Sequence, residues 1–385
     1  MTTTADVAIV GAGIMGVSTA YHLARLGARR VVIVERDVVC SGSTALASGG
    51  IRHQYVNRLG IELTTHAIVT YERFADEFGV DPNFRQHGYL LLVGTEEGMT
   101  VARRSAELQR SLGVDVSVLN PEDTRALCPY LHTQDLAGAS YTPRDGFADP
   151  YLCTTAIAAR ARELGVSIRQ GEEVRGFVRA GDRVTGVVTT TETIEAGAVV
   201  IATGAWSGGV GKLAGVDIPV VPHRRHKFIT AAFPTDVIPA ATPFIIDLSQ
   251  GISMRREGEG VLLGIGRPDE PSSFRTDVDR SLEALVVERA VHRAPALAEA
   301  RLMRGWAGLY EMTPDQTGIV SAVPGVAGLY VIAGFSGHGF MHGPIAGQLM
   351  AELVALGAAR TMDIAPLSLS RFARGEANVE PLTFV

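Results

Sequence analysis

Cysteine is scarce: Cys40, Cys128 and Cys153 are the only three in 385 residues, they lie far apart, and no CxxC occurs. This argues against a disulfide framework and against a thiolate metal centre, and leaves small buried side chains as the plain reading. Positive charge is also in short supply. A formal net charge of −6 offers no basic field for nucleic acid. No run approaches the roughly 18 uninterrupted apolar residues that a membrane span requires. The first apolar strand starts so near Met1 that a signal peptide has no room, so the expectation is a cytoplasmic protein. Low-complexity linkers and repeats of fixed period are absent as well, which points to domains that are interleaved rather than strung together.

What is present suits an enzyme with one large or two medium cores, since 46% of the residues are apolar and 20% charged. The chain opens TADVAIVGAGIMGVSTAYHLARLGARRVVIVERD. Val7 to Val10 reads as a buried strand, Gly11, Gly13 and Gly16 fill a GxGxxG, and Val17 to Leu26 has helical apolar spacing. A second strand, Val31 to Val34, ends in Glu35. Gly11 makes the turn, Gly13 lets the backbone approach a pyrophosphate, and Gly16 lets helix and strand pack closely. The carboxylate of Glu35 accepts from ribose hydroxyls and opposes a 2′-phosphate, an inference that Arg36 beside it weakens.

A Gly/Ser-rich loop follows, CSGSTALASGGIRHQY, and then a long helical pattern from Asn57 to Phe78. GYLLLVG reads as a strand, Glu96 to Leu112 as an amphipathic helix, and PEDTRAL as a helix start. After the capped helix in DGFADPYLCTTAIAARARELGVSI, two alternating runs turn at Ala180 to Arg183 and lead into the buried strand Val199 to Ala202. The runs HKFITAAF, PFIIDLS, GISMRR and GVLLGIG are strands, with one helix around Leu282 to Arg293. GLYVIAGF is a last apolar strand, and a helix is expected over Pro344 to Leu356. Between them stands GFSGHGFMHGP, a glycine-rich turn feeding a helix N-terminus. Such a turn offers main-chain N–H groups and a positive dipole end.

In this order the chain resembles the flavin-dependent amine oxidoreductases of the D-amino acid oxidase superfamily, above all the branch of sarcosine oxidase, glycine oxidase and the proline dehydrogenase β-subunit. The residues that carry the likeness are VAIVGAGIMG with Glu35, IRHQY (Ile51 to Tyr55), VVIATGAWS (Val199 to Ser207), GLYEMTPDQTGIV (Gly308 to Val320) and GLYVIAGFSGHGFMHGP. The resemblance implies an α/β fold, a Rossmann-type FAD-binding domain (1–83, 142–219 and 308–385) interleaved with an α+β substrate domain (84–141 and 220–307) built on a mostly antiparallel sheet. It implies FAD held by Gly11, Gly13, Ile14, Met15, Gly16, Glu35, Arg36, Ser43, Thr44, Ser48, Gly49, Gly50, Val174, Thr203, Gly204, Trp206 and Gly334, with the flavin ring at Gly337, His338, Gly339, Phe340 and Met341.

The implied reaction is oxidative deamination or demethylation of a small amino acid, N-alkyl, cyclic or simple, by hydride transfer to flavin N5. Arg52 is the expected carboxylate partner because a guanidinium binds it bidentately. Tyr310 and His338 join it as catalytic candidates, and His53, Tyr55, Met254 and Met341 as further pocket residues. Three departures from the branch stand out: Met341 replaces a lysine, Gly308 replaces the cysteine that attaches flavin, so that noncovalent FAD follows, and Leu262 falls near the position of a lysine that promotes reaction with oxygen. The electron acceptor is then O2, a quinone or a partner protein. A catalytic β-type subunit of a heteromeric dehydrogenase and a flavin-binding chain without turnover are the alternatives, and a homo- or hetero-oligomer fits either.

Overall fold

The computed structural model describes residues 2–267 and 269–376. Strand β1 (Thr2–Val10), helix α1 (Ile14–Arg25) and strand β2 (Val31–Glu35) form the opening unit. β1 pairs in parallel with β2 on one side and with Thr193–Ile201 on the other. Ser167–Gln170 extends the sheet beyond β2, Leu329–Ala333 extends it beyond Thr193–Ile201, and Ile319–Ala322 closes that edge antiparallel. Val174–Ala180 and Arg183–Thr189 fold onto Thr193–Ile201 as an antiparallel meander. The central strands are apolar throughout because both faces are covered. Ile9, Ile33, Val200 and Ile332 face α1 and the helices Pro150–Glu163 and Gly339–Leu356, whereas Ala8, Val32, Val199 and Val331 face Val184, Val187 and Ile218.

The second sheet runs in the order 302–312, 221–230, 260–265, 252–257, 244–247, 89–93, 138–142 and 117–119. Every join is antiparallel except that of Phe244–Asp247 with Tyr89–Val93. The sheet is therefore mixed. One face packs on helix Leu282–Arg293, and the other looks toward the first sheet. The 307/308 boundary expected between domains falls inside strand Leu302–Met312, which pairs along its length with Val221–Thr230. The end of the 308–385 segment lies outside the described residues.

Two helices depart from expectation. The pattern from Asn57 to Phe78 breaks at Arg73 into Arg58–Glu72 and Phe74–Phe78. The helix expected at Pro344 starts at Gly339, with Pro344 inside it. Proline offers no N–H to the carbonyl four residues back. That carbonyl, of Phe340, accepts the buried Tyr71 hydroxyl instead, at 2.5 Å. The same helix crosses α1 closely: a Cβ at Gly347 would lie 2.4 Å from Ser18 Oγ, and one at Gly343 would lie 2.3 Å from Ile14 Cγ1. Both helix N-termini therefore point toward one space between the two sheets.

Candidate active site

That space is a cavity of about 700 Å³. Every residue assigned to the cofactor lines it except Gly16 and Gly334. These two glycines serve packing: a Cβ at Gly16 would sit 1.9 Å from Gly11 O, and one at Gly334 would sit 2.4 Å from Thr313 Cγ2. Gly11 takes φ +105° where a Cβ would strike Ala202 O at 2.5 Å, so only glycine closes this turn. Gly13 opens on the cavity and is the N-cap of α1. Glu35 is pinned at the end of β2, its Oε2 accepting from Ala12 N at 2.8 Å and its Oε1 from Asp37 N at 3.0 Å. A carboxylate has about four lone-pair sites, so acceptor capacity remains for ribose hydroxyls. Arg36 lies over the Trp206 ring at 4.1 Å, and Phe274 stacks on the same indole at 5.7 Å. This is an aromatic platform beside Glu35.

At the other end the cavity meets the N-terminus of helix Gly339–Leu356. Gly337 has φ +94° and presses on the Tyr310 ring, 2.5 Å from where its Cβ would stand. Arg52, Tyr310, His338 and Met341 all line this end. Arg52 is 2% exposed, donates from Nη1 to Gln54 O at 2.5 Å and from Nη2 to His338 Nε2 at 3.0 Å, and covers the Tyr55 ring at 4.3 Å. Burial first, and then Arg52 and His342, hold His338 well below the usual imidazole range. Its Nε2 is therefore an acceptor and its proton sits on Nδ1. His342, lowered to about 3 chiefly by burial, meets Thr64 Oγ1 at 3.0 Å. Thr64 gives its own proton to Arg52 O, so His342 is the donor in that pair.

Three expected pocket residues lie elsewhere. His53 turns away: its Nδ1 meets Asp145 Oδ1 at 2.5 Å and its N–H donates to Asp145 Oδ2 at 2.8 Å, forming a buried structural pair. Tyr55 sits beneath Arg52 and bonds Met341 Sδ at 3.2 Å, so it supports the guanidinium without reaching the cavity. Met254 points to the opposite face of its strand, among Leu90, Leu263 and Ile265. Alternation gives the cavity face to its neighbour Ser253.

Sequence reasoning missed Arg225, Lys227, Ser253 and Glu311, all in the cavity wall. Period-two reading of PHRRHKFIT would have put Arg225 and Lys227 on the face opposite Phe228. Leu262 is buried and pairs with Ile229 and Arg255. Lys227, on the neighbouring strand, is a lysine that lines the cavity. Glu311 stands between two glycine turns, its Oε1 accepting from Phe335 N at 3.3 Å and its buried Oε2 without a hydrogen-bond partner. Burial pushes its carboxyl up to about 7, against the main-chain N–H groups of Gly334 and Phe335.

The wall fits an extended dinucleotide with a flat ring. It offers a glycine turn and a helix N-terminus at each end, and polar atoms left unpartnered, Ser43 Oγ and Glu311 Oε2. Residues 6–353 match the family described as FAD dependent oxidoreductase. FAD-dependent oxidoreductase domain-containing protein 1 of Bos taurus is 33% identical, over 96% of this chain and 85% of its own. The sarcosine oxidase subunit beta of Arthrobacter sp is 31% identical, over 96% of this chain and 91% of its own. Among solved structures, L-proline dehydrogenase from P. horikoshii superposes with a TM-score of 0.92 at 30% identity, over 98% of this chain and 100% of its own.

Proposed function

The chain belongs to the FAD dependent oxidoreductase family and is an enzyme that uses FAD, and on that premise we propose that it oxidises the C–N bond of a small amino acid bound at Arg52. The observation that carries this reading is Arg52 itself, a buried guanidinium in the cavity wall beside the N-terminus of helix Gly339–Leu356. FAD, when bound, supplies the two-electron acceptor. Gly11 to Met15 and Glu35 hold its adenosine and pyrophosphate end, and Gly337 to Met341 the ring end, where the helix dipole favours developing negative charge. No cysteine stands at Gly308, so the cofactor is held without a bond there.

Arg52 orients the substrate carboxylate, and His338, neutral, keeps the fork in place by accepting from Nη2. The substrate amine must carry a free lone pair for its carbon to give up hydride. The positive charges of Arg52, Arg225 and Lys227 in one wall lower the amine pKa without a dedicated base. Met341 and Phe340 close the ring end with apolar surface. The likeness to a sarcosine oxidase subunit beta favours a second reading, in which this chain is the amine-oxidising subunit of a larger assembly. Anaerobic addition of a panel of primary, N-alkyl and cyclic amino acids to the purified flavoprotein tests the proposal. At least one should bleach the flavin, and a panel that leaves it yellow would sink it.

A further inference from the structure

Strands Val221–Thr230 and Ile252–Glu257 of the second sheet carry five Arg and Lys side chains, and three of them are satisfied by the protein. Arg224 bonds Glu270 at 2.8 Å, Arg255 bonds Glu257 at 2.5 Å, and Arg256 donates to the carbonyls of Ile238, Phe233, Glu259 and Pro234. Lys227 and Arg225 are different. Among the described residues neither has a carboxylate within ion-pair distance. Arg225 donates from Nη1 to Arg224 O at 3.0 Å, but its buried Nε is unpartnered. Burial, then Arg225 and Arg255, push the Lys227 ammonium down to about 8. A buried cation without a paired anion is costly, and neither of these two forms an ion pair among the described residues.

The strand beside them is shaped for the pair. In GVLLGIG the two later glycines alternate on the cavity face, one under each cation. A Cβ at Gly264 would meet Ser253 Oγ at 2.2 Å and Lys227 Nζ at 2.9 Å, and one at Gly266 would meet Arg225 Cδ at 2.7 Å and Nε at 2.8 Å. Both cations thus lie flat in a trough open to the cavity, with Ser253 alongside and Arg225 facing the Tyr310 ring at 5.2 Å. The proposed reaction of a monocarboxylic amino acid at Arg52 uses only the charge of these two cations and puts no anion in the trough.

We propose that Lys227 and Arg225 bind a second anionic group of the substrate, which makes the substrate an amino acid bearing a carboxylate beyond the one at Arg52. The inference rests on the reading that Arg52 holds the first carboxylate, and it names the substrate class for that site. Ser253 completes the subsite as a hydroxyl donor to the second carboxylate, and the glycines beneath keep the cations from being covered.

Matched pairs that differ by one carboxylate test it: iminodiacetate against N-methylglycine, and aspartate and glutamate against alanine and 2-aminobutyrate, each amino acid in both chiral forms. The flavoprotein is mixed anaerobically with each, and the bleaching rate over the apparent dissociation constant is compared. The dicarboxylic member should be favoured by at least about 30-fold in one pair. Lys227→Met should shrink that ratio toward unity by raising the dissociation constant of the dicarboxylic member, with FAD content as the check on folding. Arg225→Gln gives an independent variant. Equal or better bleaching by the monocarboxylic members overturns the inference and leaves the reading at Arg52 intact. A ratio unmoved in Lys227→Met while the flavin potential shifts also overturns it, because the cations then serve the cofactor. If no amino acid of either kind bleaches the flavin, the underlying reading itself has failed.

Discussion

Arg52 is anchored by Gln54 O and His338 Nε2 while its side chain lines the cavity. Replacing it by alanine should raise the substrate dissociation constant by about 2 to 5 kcal/mol, because the paired carboxylate is desolvated, while FAD content stays normal. Lysine should recover only part, since one ammonium cannot reproduce the fork. Loss of flavin in parallel with substrate affinity would move Arg52 to the cofactor. Glu311 makes a prediction of a different kind. Its residual exposure is to the cavity, and burial raises its carboxyl from 4.5 to about 7. A raised carboxyl favours the folded state fully below 4.5 and loses that contribution as pH climbs to 7. The FAD-free protein should therefore lose at most about 3 kcal/mol over that interval from this group. In Glu311→Gln that part of the pH dependence should vanish, which urea unfolding at a series of pH values would reveal; an unchanged profile would mean that water in the cavity keeps the carboxyl ordinary.

Helix Gly339–Leu356 shows why some of the site could be read in advance and some could not. The glycine-rich turn and the positive end of the helix were legible because they are local: glycines at φ > 0 and a dipole need no partner to be inferred. Its true start was not legible. A proline suggests a first turn, and only Tyr71, from another helix, reveals how the orphan carbonyl of Phe340 is satisfied. Met254 failed for a related reason. The strand was evident, but a slip of one residue exchanges faces, and the face depends on what lies across the sheet. His53 was lost to Asp145, ninety-two positions away in sequence. Two variants probe this element. Tyr71→Phe leaves the Phe340 carbonyl buried and unpaired, which should cost about 1 to 3 kcal/mol in thermal or urea unfolding. Gly347→Ala forces a methyl against Ser18, whose backbone carbon would stand only 2.7 Å away. The helices must separate, at about 1 to 3 kcal/mol, and the same variant should retain FAD less well because the two N-termini that flank the cavity move apart. Unfolding behaviour identical to the parent protein would show that the crossing has slack.

Across the whole molecule the cavity lies between two sheets whose strands alternate in sequence, so the dinucleotide site is assembled from both ends of the chain. The opening βαβ unit announced itself, and so did the class of ligand. The charges on the second sheet did not, because Arg225 and Lys227 look like any exposed strand residues until the first sheet covers them. A ligand that bridges two cores stabilises both by mass action, adding about 1.4 kcal/mol for each tenfold excess of free FAD over its dissociation constant. The midpoint of thermal unfolding should therefore climb with FAD concentration across the whole protein rather than in one part. Glu35 fixes where that climb begins. Its carboxylate already orders the turn through Ala12 N and Asp37 N, so Glu35→Gln keeps the shape and one acceptor oxygen while removing charge-assisted bonds to the ribose. Such bonds contribute about 1.5 to 3 kcal/mol, and Glu35→Gln should accordingly need on the order of 10- to 100-fold more FAD to reach the same midpoint. The FAD-free variant should melt slightly below the parent, because a turn that loses one carboxylate acceptor is looser with or without ligand. If the two proteins trace the same curve against FAD concentration, the adenosine does not rest on Glu35, and the Arg36–Trp206 platform becomes the place to look.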